Sequence, residues 1–233
     1  MPNWVINKIT ISGPEDKIQE FEEKLIKKVD EDSEEKVFSF HSILPTPEEL
    51  INTISPNPRP EIKEVIDENG NKVEVMVYRN TLNEFEIQNA IREGRTPPKP
   101  IPCNNATPEM CDQLLLKYGR TNWYDWQMFN WGTKWDANNS FYNREDRILQ
   151  FETAWSCPGA LIDKMIDMFP DLTFEGTFAD EDFGSNAGYI EKGGAFNVDD
   201  RTEEAYEIAS SLWGYQGYYD DEKGEWVFEE EDE

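Results

Sequence analysis

From Asn3 to Ile11 apolar and polar side chains alternate, with Val5, Ile9 and Ile11 toward one face and Asn7 interrupting it. A period of two predicts a strand. Ser12-Gly13-Pro14-Glu15-Asp16 then reads as a turn and a helix start. Proline suits the first helical turn, where its missing N–H has no partner to lose, and the acids complement the positive end of the helix dipole. Ile18, Phe21, Leu25 and Val29 recur at helical spacing, so the segment predicts a β-α unit whose apolar stripe faces a sheet.

A second unit stands far downstream. Ser140–Asn143 and Arg147–Trp155 flank Glu145-Asp146 as a hairpin, and Pro158 opens a helix carrying Leu161, Ile162, Met165 and Phe169 that Pro170 stops. Leu172, Phe174 and Phe178 suit another strand. The order β-α followed by β-β-α-β predicts an α+β, ferredoxin-like (split βαβ) antiparallel sheet. Residues 1–29 with 140–180 form the expected core, residues 30–139 a long insertion, and residues 181–233 an acidic C-terminal α/β-hairpin extension. Within the insertion, Asn69-Gly70 predicts a hairpin, Thr81–Glu93 a helix, the four prolines of Thr96–Pro102 an extended connector, and Thr107-Pro108-Glu109 the cap of a helix through Leu114, Leu115 and Leu116. In the extension, Thr202–Trp213 predicts a helix closed by Gly214, and Tyr218–Phe228 a hairpin turning near Lys223-Gly224.

Composition narrows the function classes. Lys+Arg total 22 against Asp+Glu 49, a net charge of -27, which repels nucleic acid and anionic membranes over the protein as a whole. The charge is uneven: residues 171–233 hold 20 acids and 3 bases, a net of -17, leaving -10 for the rest. Hydrophobic residues at 37% still suffice for a packed core despite a mean hydropathy of -0.77. No apolar run reaches membrane-spanning length, the opening Met1-Pro2-Asn3-Trp4 lacks a secretory signal, and Cys103, Cys111 and Cys157 sit in no metal-ligand spacing. The expected setting is the reducing cytoplasm of a cell, with no membrane contact and no direct nucleic-acid contact.

Chemistry-bearing candidates are few. Asn122–Asp136 places Trp123, Trp126, Trp131 and Trp135 close together. These indoles either plug the core or form a stacking platform, and the second option assigns a ligand site to Trp131, Lys134, Trp135, Asp136 and Trp155. Trp131-Gly132-Thr133-Lys134 lacks the glycine spacing of a phosphate loop. Asp180–Glu191 has the length of a calcium loop, but its glycine falls one place early and strand-like residues flank it, so a solvated acidic turn is expected. With His41 as the single histidine, neither a multi-histidine metal site nor a triad has its parts. We therefore assign no catalytic residue, metal or cofactor. The acids Asp180, Glu181, Asp182, Asp220, Asp221, Glu222, Glu229, Glu230 and Glu231 are the candidate partner-binding residues, because an ordered array of carboxylates can imitate the charge of a nucleic-acid backbone.

Three strings, MPNWVINKITISG at the start, NWGTKWDA at 130–137 and FETAWSCPGALIDKMIDMFPDL at 151–172, resemble the YubB-like proteins of phages and plasmids. That resemblance implies a ferredoxin-like domain and a mobile-element origin, with no reaction to carry over. Together with the charge it leads to the expectation of a non-enzymatic protein that binds and inhibits a basic nucleic-acid-handling protein or nuclease of the host defence. The alternative is a small-ligand or nucleotide-binding module built on the tryptophans.

Overall fold

A computed structural model describes residues 3–28, 36–53, 60–66, 72–78 and 108–229. Contacts divide the chain into two compact units, residues 1–45 with 127–233 and residues 46–126.

The first unit is built on the alternation of its opening strand, β1 (Trp4–Ser12). Helix α1 (Glu15–Leu25) follows, and the chain turns at Ile26 into a short strand β2 (Ile26–Lys28) paired with β3 (Lys36–Phe38). The helix therefore ends a turn earlier than its periodicity predicts, and Val29 lies outside the described residues. The predicted hairpin is β6 (Asn138–Asn143) and β7 (Ile148–Ala154), leading through α5 (Gly159–Met168) to β8 (Thr173–Asp180). Two strands that periodicity does not reveal, β9 (Gly188–Glu191) and β10 (Gly194–Asn197), extend the sheet beyond β8. The strand order is β10-β9-β8-β1-β7-β6, antiparallel throughout. Its β8-β1-β7-β6 portion has the strand order of the split βαβ arrangement, so the fold is ferredoxin-like.

One face of the sheet carries Ile9 and Ile11 of β1, Leu149 and Phe151 of β7, and Phe174 and Phe178 of β8, all buried. The buried residues Ile18, Phe21 and Leu25 of α1 and Leu161, Ile162 and Met165 of α5 complete this core. Phe21 joins the layers, its ring 5.4 Å from Phe169 and 5.9 Å from Phe174. Asn7 sits fully buried in the same face, where its amide donates to Thr153 Oγ1 (2.9 Å) and to the Val5 carbonyl (3.0 Å). The polar interruption in the sequence is thus a cross-strand tie.

The opposite face is capped only in part. Helix α6 (Glu203–Trp213) starts on the Thr202 hydroxyl, which accepts from Ala205 N, and ends at Gly214 in the left-handed conformation (φ 77°). Its Ala205, Ile208 and Ala209 pack on Ala179 and Ala187, and the small side chains let helix and sheet approach closely. The hairpin β11 (Gly217–Asp220) and β12 (Glu225–Phe228) completes this layer. Gly184 is held at φ +80°, and a Cβ there would lie 2.3 Å from the Tyr206 ring. Gly184→Ala is therefore expected to cost about 2–3 kcal/mol, since the backbone disfavours a side chain and the ring cannot give way without moving α6. Urea denaturation measures the loss.

The second unit contains α2 (Glu48–Ile51), the hairpin of β4 (Pro60–Ile66) and β5 (Lys72–Tyr78), and α3 (Pro108–Tyr118). Lys117 of α3 pairs with Glu49 at 3.0 Å, and Tyr118 donates to the same carboxylate. The Asn69-Gly70 turn, the Thr81–Glu93 helix and the Thr96–Pro102 connector lie outside the described residues. Helix α4 (Trp123–Asn130) starts where the Asn122 side chain accepts from Asp125 N at 2.9 Å, an N-cap that satisfies a donor of the first turn.

Candidate functional site

Packing divides the tryptophan segment in two. Trp131 is 0% exposed; its indole N–H donates to the Leu44 carbonyl at 2.9 Å, and its ring meets Phe40 and His41 edge-on at 5.5 and 5.1 Å. Asp136 is likewise engaged internally, accepting from Phe40 N and the Ser39 hydroxyl at 2.6 Å each and from Ala137 N at 2.8 Å. These two residues hold the short 3-10 turn Phe40–Ser42 against the sheet. The Trp131 N–H and the Asp136 carboxylate are thus both engaged within the fold.

Lys134, Trp135 and Trp155 do come together. The Lys134 ammonium lies 4.4 Å from the Trp135 ring and 5.3 Å from the Trp155 ring, within cation–π range. Trp4 joins them with its ring 5.9 Å from Trp135. Trp4 lies far from the tryptophan segment in sequence, and only strand pairing brings it to the cluster. Trp155 is 40% exposed and adopts φ 69°, a conformation costing a non-glycine residue about 1–2 kcal/mol. Its N–H donates to the Asn3 carbonyl at 2.9 Å, and its carbonyl accepts from Asn186 Nδ2 at 3.1 Å. Burial pushes the thiol pKa of nearby Cys157 well up.

The acidic candidates also separate. Asp180 is 6% exposed, and its carboxylate accepts from Asn3 Nδ2 (3.0 Å), Asp182 N (2.8 Å) and Asn186 Nδ2 (3.1 Å). It is a buried acceptor that ties Asn3, Asp182 and Asn186 together at the end of β8. Asp220 caps the hairpin turn, accepting from Glu222 N and Lys223 N and pairing with Lys223 at 2.9 Å, contacts that lower its carboxyl pKa. Asp182 is exposed but paired with Arg201 at 2.9 Å. Glu181, Asp221, Glu222 and Glu229 are exposed, while Glu230 and Glu231 lie outside the described residues. Among the described residues no group of three or more His, Cys, Asp or Glu converges as metal ligands would, and no helix is long and apolar enough to cross a membrane.

The C-terminal layer is packed through aromatic contacts. The Phe183 ring contacts Tyr206 (5.3 Å) on α6, Tyr215 (5.0 Å), and Trp226 (5.7 Å) and Phe228 (5.3 Å) on β12. The hairpin is thereby tied to α6 through one cluster of rings, of which Tyr206 is buried and Phe183 and Trp226 are partly so. Its outer members Tyr215 and Phe228, and Tyr218 of β11, are exposed.

Residues 130–233 match the family of the ferredoxin-like domain in Api92-like proteins. The match takes in β6, β7, α5 and β8 of the core together with everything after them, and leaves β1 and α1 outside. No curated protein and no solved structure matches the chain.

Proposed function

We propose that this is a non-enzymatic protein of a phage or other mobile element, which acts in the cytoplasm of its host by occupying the basic surface of a nucleic-acid-handling defence protein. The observation that supports the reading is the cluster of rings around Phe183, which ties the acid-bearing hairpin of β11 and β12 to α6. Fixed charge matters because a mobile acidic tail would lose ordering entropy on binding and a preorganised one does not. Exposed Tyr215, Tyr218 and Phe228 among those acids add the aromatic anchors that interface centres favour over charge alone.

The test is recovery of host proteins at low and high salt, with competing DNA as the displacing agent. Asp221, Glu222 and Glu229 are reversed to lysine together; Asp220 is spared because it caps the turn. Wild-type protein is expected to retain a basic nucleic-acid-binding protein at low salt and release it to DNA or high salt, and the triple variant to retain about tenfold less at unchanged melting temperature. Equal retention by the variant ends this reading.

A second reading rests on a different observation, the strained and half-exposed Trp155 beside Lys134 and Trp135. A small anionic aromatic, such as a nucleotide, would stack on the indole with its charge near the ammonium. It predicts a ligand-dependent rise in melting temperature that Trp155→Ala removes.

A further inference from the structure

On the sheet face opposite α1 and α5, one cross-strand row runs through all six strands. Pairing in register links Phe196 to Tyr189, Tyr189 to Thr177, Thr177 to Lys8, Lys8 to Gln150 and Gln150 to Phe141. Paired residues share a face, so these side chains project together. At the usual spacing between strands the row is about 24 Å long. Helix α6 packs on the neighbouring row through Ala179, which pairs with Ile6, and meets this row at Tyr189, whose hydroxyl donates to Glu204. The aromatic ends stay open, with Phe141 61%, Tyr189 41% and Phe196 46% exposed.

Carboxylates outnumber cations around the row, where Lys192 lies beside Glu175 and Glu191. Glu152 pairs with Ile6, Glu175 with Thr10 and Glu191 with Gly194, which places all three on this face, and Glu204 accepts from the Tyr189 hydroxyl at 2.8 Å. Lys8 is the one cation in the row. A single-stranded nucleic acid would meet exposed rings to stack on but carboxylates where its phosphates must lie. A polypeptide with alternating basic and apolar side chains satisfies both, since guanidinium groups pair with the carboxylates and lie over the rings while apolar side chains cover Phe141 and Phe196.

We infer that this sheet face is a second docking surface, and that its occupant is a basic, apolar-bearing segment of a partner protein. Extended across the sheet, about seven residues of that segment would span the row. The inference shares with the preceding section the class of partner but uses a surface separate from the hairpin.

The full chain is titrated at physiological salt with a labelled dodecapeptide alternating arginine and leucine, and separately with labelled dodecathymidylate. Lys8→Glu removes the cation in the row and is expected to tighten the peptide about threefold, a gain that misfolding cannot produce. The combined substitution of Phe141, Tyr189 and Phe196 by serine is expected to weaken it about tenfold. The hairpin variant of the preceding section is expected to stay within about twofold of wild type, because screening limits its reach. Three results overturn the inference: no peptide binding, weaker peptide binding by Lys8→Glu, or dodecathymidylate binding that Lys8→Glu abolishes. Peptide binding lost in the hairpin variant and kept in the serine variant also overturns it, while leaving the hairpin proposal standing. Peptide binding that follows the sheet variants supports it even if host-protein recovery ignores the hairpin.

Discussion

Trp131→Ala is expected to destabilise the protein by about 4 kcal/mol, the range seen when a large aromatic is removed from a packed core, and to lower the melting temperature by roughly 8–16 °C for a chain of this size. Three contributions add. The whole indole is withdrawn from solvent, its N–H donates to the Leu44 carbonyl, and its ring holds Phe40, which in turn meets Phe38 and Phe151 at 5.8 and 5.6 Å. Without it the 3-10 turn loses part of its packing and the Leu44 carbonyl loses a donor. Trp155→Ala, in the same aromatic-rich region, is expected to change stability by less than about 1 kcal/mol. Its side chain is half out of the core, and the left-handed backbone costs alanine about what it costs tryptophan, because both carry the Cβ that causes the strain. Thermal denaturation of the two variants side by side decides the matter. Similar losses would mean that Trp155 is core and that the ligand reading has no site.

The contrast between those tryptophans marks how far sequence carries. Local pattern was enough for β1, for the hairpin of β6 and β7, and for α5 and α6, because each alternates or repeats over a full element and is bounded by proline, glycine or a capping hydroxyl. The order β-α-β-β-α-β then fixes the core topology. Strands β9 and β10 escaped because each is four residues long and opens on glycine, so no period can establish itself. Long-range partners escaped for a different reason. Trp131 is buried by Leu44 and Phe40, and Trp135 is joined by Trp4, neighbours that only the tertiary fold supplies. Density of aromatics along the chain therefore located the region and could not sort its members. The same holds for the acids: composition located the C-terminal layer, while the inward direction of Asp180 depends on amides at Asn3 and Asn186.

Asp180→Ala follows from that direction and is expected to cost about 3 kcal/mol, because the buried carboxylate is the shared acceptor of two side-chain amides and one backbone N–H. The damage should spread. Asn186, released from Asp180, also donates to the Trp155 carbonyl and accepts from Asn197 Nδ2 at 3.2 Å, so the strained tryptophan, the 182–186 loop and β10 share one anchor. Asp180→Asn keeps an acceptor oxygen and the volume while turning one donor toward another, so it should lose less than the alanine variant. A residue whose work was on the surface would behave otherwise: its removal would leave denaturation unchanged and weaken only partner recovery. Measuring urea denaturation and partner recovery on the same alanine variant separates the two. A full stability loss with recovery reduced no further than the unfolded fraction accounts for assigns Asp180 to the scaffold. Unchanged stability with tenfold lower recovery would return it to the binding surface and would mean that the amide contacts at Asn3 and Asn186 contribute little to folding.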